Sequence, residues 1–355
     1  MRSIRSRGLL VALVASVTTV ACVFVSSGGS SSRLHTLRDT TEQVIVPGYH
    51  DLARDAAALR EALAGYCAAP DDPGLVGARE AFLVTSATWS RTYAWGFGPV
   101  VDERLEGEIA FWPIRTDTVE SNLAAGATLD EAWVASLGSA GKGLPVIEYL
   151  LFADSVGSDA RRCAYAAAAA AHLATTTARL ADAWDGGYAD AVIGAGGESA
   201  VYGSQLEAFS AILTQMISAV QRIKLLRLGG PLGITTEGTP QPDAVELPYA
   251  EASVAAMVAT LEGLRALWTV PDGDGLDEWL TERDAALAAR VRDELDAAIA
   301  AVGAVPEPLS EYVAGADHTA GDAALEAIRR LERTLATDVS GALAIAVMFT
   351  DNDGD

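Results

Sequence analysis

Bases are scarce in this chain. Its 355 residues hold 25 Lys and Arg against 48 Asp and Glu, a net charge of −23, which would repel a phosphate backbone and an anionic membrane surface alike. Nucleic acid is excluded as a partner on that ground. Aromatic residues make up only 6% of the chain, and no run alternates apolar and polar residues with a period of two, so a strand-rich sandwich or barrel is not expected. Histidine occurs only at His35, His50, His172 and His318, and no two of these are spaced as ligands on one helix face. There is no HExxH pair, no GxSxG elbow, no Walker loop and no dinucleotide fingerprint, and neither Cys67 nor Cys163 stands beside a plausible base.

What the chain does have is apolar and alanine-rich. Half its residues are hydrophobic, enough to bury a sizeable core in one or two domains, and Ala recurs in runs such as Ala166 to Ala171, which favour helix because Ala loses no side-chain entropy there. The first residues stand apart from this. Arg2, Arg5 and Arg7 precede an apolar stretch, Gly8 to Val20, too short for a permanent span and right for an export signal. Thr19-Val20-Ala21-Cys22 resembles a lipobox whose cysteine is lipidated and becomes the mature N-terminus; the alternative is ordinary cleavage near Ala21 or after Val25. Removing residues 1–21 takes away three Arg and no acid, leaving −26. Residues 22–35, with Ser26 to Ser32 built from Ser and Gly, read as a flexible tether. Cell-envelope localisation follows, periplasm-facing and held to the membrane through the lipid alone. In an exported chain the two remaining cysteines, Cys67 and Cys163, are expected to be joined, with two separate buried thiols as the alternative.

Seams of helical period follow one another along the mature chain. Ile45, Tyr49, Leu52, Ala56, Leu59, Leu63 and Tyr66 form one stripe, Leu206 to Ile223 another and Ala250 to Trp268 a third, with weaker stripes through Leu75–Tyr93, Tyr165–Trp184, Leu276–Leu295 and Leu325–Leu343. An all-α protein is expected, with two helical-bundle domains of about four long helices each, spanning 36–190 and 191–355 and divided at the glycines Gly186 to Gly197. Residues 96–157 break the period repeatedly, and an irregular stretch of that length inside a domain is a candidate functional segment.

Carboxylates are the one abundant chemistry, and hard cations can be held by oxygen ligands alone. Asp272-Gly273-Asp274-Gly275-Leu276-Asp277 and the terminal Asp351 to Asp355 have fragments of calcium-loop spacing without the closing Glu, and read equally as polar turns. Trp95, Phe97 and Trp112 in the broken segment read as core anchors or as ligand contacts.

Several phrases taken together resemble the imelysin-like family. They are Leu75 to Trp95 followed by Gly98-Pro99, then Ile109-Ala110-Phe111-Trp112-Pro113, then Gly143-Leu144-Pro145-Val146-Ile147-Glu148 with Tyr149 to Phe152, and later Arg227-Leu228 with Pro231-Leu232-Gly233, in order over nearly the whole mature chain. The resemblance implies an exported, often lipid-anchored protein of two helical bundles, first classed as a metallopeptidase and since linked to iron uptake. Its signature is Gly-x-His-x-x-Glu, whose His and Glu could share a metal. Here Gly143 and Glu148 match and Pro145 replaces the His, so the nitrogen ligand is lost; Glu148 at the third position of a short helix could then serve as a cap. A site between the bundles is expected to be lined by Glu148, Trp112 and Arg115, with Gln205, Arg222 and Lys224 facing it from the second bundle, Arg222 and Lys224 otherwise being charges that answer a helix C-terminus. The function the resemblance implies is non-enzymatic binding in the acquisition of iron, another divalent or trivalent metal, or a metal complex. A metal-dependent peptidase, and an envelope interaction protein with a vestigial cleft docking a partner on 96–157, are the alternatives.

Overall fold

A computed structural model describes residues 28–153 and 159–347; the stretch read as an export signal, Cys22 and the terminal Asp351 to Asp355 lie outside the described residues. Every regular element among the described residues is helical. Helix α1 (Gly28–Thr40) passes through one wide turn, Thr41–Ile45, into α2 (Val46–Ala68). Pro47 is in the first turn of α2, and a wide turn just ahead of it accommodates the backbone bond that proline cannot donate. The residues read as tether therefore extend into α1 from Gly28 onward.

Helix α3 (Asp72–Thr92) starts on Asp71, whose carboxylate accepts from the Gly74 N–H at 2.7 Å, and α4 (Ala160–Ala183) on Asp159, which accepts from Arg161 N and Arg162 N. Ser204 caps α5 (Gln205–Arg222) in the same way through Glu207 N. Each cap satisfies donors that the first helical turn cannot. Three more long helices follow: α6 (Ser253–Trp268), α7 (Leu276–Gly303) and α8 (Thr319–Arg333). Most residues of the expected seams lie on the buried faces of these helices; Ile45 belongs to the wide turn before α2 and Ala250 to the turn before α6, and Tyr93, Trp184, Ile223, Leu335, Val339 and Leu343 lie in the elements that follow α3, α4, α5 and α8. Four long helices thus lie on each side of the glycines at 186–197.

Packing runs α4 on α2, α2 on α3, α3 on α6, α6 on α7 and α7 on α8. The contact of α3 with α6 joins the two halves of the chain. It is close because Gly263 of α6 has no side chain: a Cβ there would lie 2.4 Å from the Arg91 carbonyl oxygen. The Thr260 hydroxyl donates to the Ser90 carbonyl at 2.9 Å across the same seam. One continuous apolar cluster extends from α1 to the end of the described chain.

Cys67, near the end of α2, and Cys163, in the first turn of α4, are disulfide-bonded with their Cα atoms 5.5 Å apart. Trp95 and Phe97 are core residues, at 1% and 8% exposure. The broken segment holds the short helices Pro99–Asp102, Glu106–Ile109, Thr116–Ala124, Glu131–Ser136 and Leu144–Glu148. No helix among the described residues is long and apolar enough to cross a membrane.

Candidate functional site

Gly143 enters the helix Leu144–Glu148 with φ +80°, and a Cβ on it would lie 2.4 Å from the Ile109 carbonyl oxygen. Only glycine meets both conditions without strain. Pro145 takes the first turn, as expected, but Gly143 is the cap residue, so Glu148 sits at the fifth helical position. It caps nothing in its own helix. Its Oε1 accepts instead from the backbone N–H groups of Tyr249 and Ala250, at 2.8 and 2.9 Å, a hundred residues further on. The side chain of Glu148 is buried at 1% exposure.

A pocket opens beside it, between α3 (Ser86, Trp89, Ser90), the segment Ala110–Ile114, the helix of Glu148, and the turn Glu246–Pro248. Apolar walls predominate: Leu144, Pro145, Ile114, Leu247, Pro248 and the indoles of Trp89 and Trp112. Trp112 is half-buried there, so it is a wall of the pocket rather than a core anchor. The indole Nε1 of Trp89 is buried and has no hydrogen-bond partner among the described residues. Desolvation by burial pushes the Glu148 carboxyl up to about 7, and the neighbouring Glu246 charge adds to the rise, while the two backbone N–H groups oppose it.

Glu246 itself is neutralised. Arg227, 4% exposed along its side chain, meets it at 2.6 Å, donates to the Thr260 hydroxyl at 3.1 Å and lies 4.4 Å over the ring of Tyr93. Arg222 covers the same ring at 4.6 Å and pairs with Glu106 at 2.9 Å. Burial holds the Tyr93 phenol above its ordinary range, with the two guanidiniums pulling the other way.

Glu148 and Trp112 therefore share one pocket, as expected, and the other four candidates do not join them. Arg115 is exposed at the start of the helix Thr116–Ala124, next to the pocket residue Ile114. Gln205 lines a separate depression with Arg33 and Gly196. Arg222 is on the far side of Tyr93, in a groove with Gln215 and Leu225. Lys224 is bound to Glu332 of α8 at 2.6 Å. What sequence reasoning missed is the turn Glu246–Pro248 and its anchor Arg227. The signals available were the proline-punctuated stretch between α5 and α6 and the place of Arg227 in the quoted phrases. Leu247 and Glu251 both hold left-handed backbone, with φ of 56° and 52°, a conformation that non-glycine residues adopt mainly where the surroundings impose it.

The donor set does not fit a bare metal ion. No group of three or more His, Cys, Asp or Glu that could hold one exists among the described residues. Pro145 offers no lone pair beside Glu148, and Glu246 is committed to Arg227. The histidines are dispersed, with His35 near Asp274, His50 near Asp185, His172 near Glu108 and His318 on the Val313 carbonyl. The Asp272–Asp277 loop is a structural turn: Asp274 N donates to Asp39, and Asp277 accepts from the Thr269 hydroxyl and Arg292.

The model of the Imelysin family, which carries a peptidase label, matches residues 45–337. The chain belongs to the imelysin family. An iron-regulated protein A from Synechococcus elongatus is 24% identical over 307 residues, 83% of each chain. Among solved structures, an imelysin-like protein from Psychrobacter arcticum superposes with a TM-score of 0.76 at 21% identity, over 90% of this chain and 98% of that one. A protein described as an iron-regulated protein A precursor, from Parabacteroides distasonis, gives 0.77 at 16% identity, over 88% and 95%. These structures share the imelysin fold with this chain. Its departure from the family signature is Pro145, which the structure accommodates in the first turn of the motif helix.

Proposed function

We propose that this imelysin-family chain is a non-enzymatic binding protein of the cell envelope, working in the acquisition of iron, most directly as a metal complex. The observation that carries the reading is the Glu148 pocket: a buried carboxylate at the meeting of both halves of the chain, with mostly apolar walls and two indoles. At about 20 Å³ the pocket admits one small group at a time, and its mostly apolar walls suit the edge of an organic ligand or of a chelated metal, which brings its own donors, better than a naked ion, which needs several from the protein. The names of the relatives, iron-regulated protein A, support a role tied to iron. The peptidase alternative needs a metal-bound water, and with Pro145 in the His position and Glu246 held by Arg227 no group of three ligands to carry one exists among the described residues.

Metal content of protein from its native envelope, followed by calorimetric titration of the stripped chain against Glu148→Ala, tests the reading. Stoichiometric uptake of a chelated or haem-like iron complex, lost in the variant, is expected, in preference to bare ferric iron, ferrous iron or copper; no uptake of any of them overturns it. Export and lipidation at Cys22 belong to the same proposal. Mass spectrometry of the mature N-terminus should find a diacylglyceryl-modified Cys22; an unmodified N-terminus from cleavage near Ala21 or after Val25 would remove the anchor.

A further inference from the structure

Two cavities meet at Ser86 and Leu247, which wall both. One is the Glu148 pocket. The other is a groove of about 250 Å³ between α3 and the start of α6, walled by Leu83 and Ala87 on one side and by Ala252, Ala255 and Ala256 on the other. The pocket has a buried charge to offer, and the groove is apolar apart from Ser86 and the exposed Glu251. Glu148 has no ion-pair partner among the described residues, whereas the charge of Glu246 is met by Arg227 at 2.6 Å. Both hydrogen bonds that reach Glu148 fall on Oε1. A carboxylate held out of water without a counter-charge, in a pocket that two indoles help to line, is complementary to an organic cation, since ammonium groups are drawn both to carboxylates and to aromatic rings. A hydrated metal ion would find only Glu251 and the Ser86 hydroxyl in the groove, whose other walls are apolar.

We propose that the pocket and the groove together bind an aliphatic ammonium, its charged head in the Glu148 pocket and its hydrocarbon chain between α3 and α6. This rests on reading the Glu148 pocket as a ligand site, and it names the organic part of the ligand. The titratable and charged groups near the head are Glu148, the Glu246–Arg227 pair and the phenol of Tyr249, and Glu251 lines the groove that takes the chain. Of these, the Glu148 carboxyl is the one pushed into the neutral range, to about 7. A cation that binds the carboxylate at pH 6 therefore displaces a proton from it, and at pH 8.5 it does not.

Calorimetric titration of the full chain with hexylammonium, butylammonium and 1-hexanol tests this. Hexylammonium should bind with a heat that differs between phosphate and imidazole buffers at pH 6, the mark of a released proton. Butylammonium should bind on the order of tenfold more weakly, two buried methylenes being lost, and hexanol at least about tenfold more weakly than hexylammonium for want of charge. Glu148→Gln should remove the advantage of the ammonium over the alcohol. Ala255→Phe, an exposed position that fills the groove without touching the core, should erase the difference between hexyl and butyl and keeps the test valid if Glu148→Gln does not fold. Equal binding of hexanol and hexylammonium, or indifference to Ala255→Phe, overturns the proposal. If hexylammonium does not bind while an iron complex binds and is lost in Glu148→Ala, the ammonium inference falls and the functional reading stands. If hexylammonium binds and no iron species does, the iron reading falls and the inference stands.

Discussion

At Glu148, stability and pH are linked with a definite sign. Its carboxyl is raised in the folded chain to about 7 from an ordinary 4.5, so the folded state holds its proton more tightly than the unfolded one. The stabilisation this gives is complete below about pH 4.5 and is lost as pH rises through 7, by roughly 3 kcal/mol for a shift of this size. Glu148→Gln keeps an oxygen to accept from Tyr249 and Ala250 and cannot ionise. Urea denaturation at pH 5 and pH 8 should therefore find the variant gaining on the wild type by a few kcal/mol at the higher pH, and equal differences at both would show that Glu148 is not buried as described. Gly143 makes a second residue-scale case. Gly143→Ala meets both a left-handed φ and a backbone oxygen, whereas Gly126→Ala meets only the φ, +72°, in open space. The second should cost about 1 kcal/mol and the first several times as much by thermal unfolding; parity would remove the steric account of the motif glycine.

That Glu148 and Trp112 line one pocket was legible because the family phrases carry both. The partners of Glu148 were not, because Tyr249 and Ala250 act through backbone N–H groups, to which sequence is silent. Arg222 and Lys224 look alike in sequence as late basic residues of one helix. They part company only because one meets Glu106 and the other Glu332, contacts that depend on how distant elements are brought together.

Helices are the scale at which the sequence spoke most clearly. A stripe of buried residues at threes and fours has only one periodic backbone to fit; the expected seam of α7 falls wholly on its helix and that of α2 begins one residue ahead of it, while that of α5 runs one residue past its end and that of α8 continues from Leu335 to Leu343 into the elements after it. Element ends were less plain: Ala250 continues the spacing of α6 but stands in the turn before it, where the backbone is drawn to Glu148. The packing of one element on another was invisible, since Gly263 looks from sequence like a weak point in α6. In the structure it is where α6 meets the end of α3. Gly263→Ala improves helix propensity by about 1 kcal/mol and nevertheless should destabilise the chain by about 1–3 kcal/mol, because the new Cβ collides with backbone. Gly77→Ala on α3, with nothing within 4 Å, should stabilise by up to about 1 kcal/mol. Chemical denaturation of the pair decides it, and a stabilising Gly263→Ala would mean that α3 and α6 are not in close contact.

For the molecule as a whole, the question is whether its two halves stand or fall together. The chain shows four long helices on each side of the glycines at 186–197, yet its apolar core is continuous, and the halves are joined by Gly263 against Arg91, Thr260 with Ser90, Gln215 with the Tyr93 carbonyl at 3.0 Å and Glu148 with the turn before α6. The disulfide lies wholly in the first half, closing a separation of 96 residues between Cys67 and Cys163. For a loop of that size the chain-entropy account gives about 4–5 kcal/mol. If the joints couple the halves into one cooperative unit, removing the bridge with Cys67→Ala/Cys163→Ala destabilises helices that never touch it. Native-state hydrogen exchange should then show the slowest amides of α7, in the second half, losing protection by the same free energy as those of α2, because both exchange through one global opening. Independent halves would leave α7 unchanged while α2 loses protection. That result would make the Glu148 pocket a seam between two separately stable bundles, able to open without unfolding either, and not a cavity inside one body.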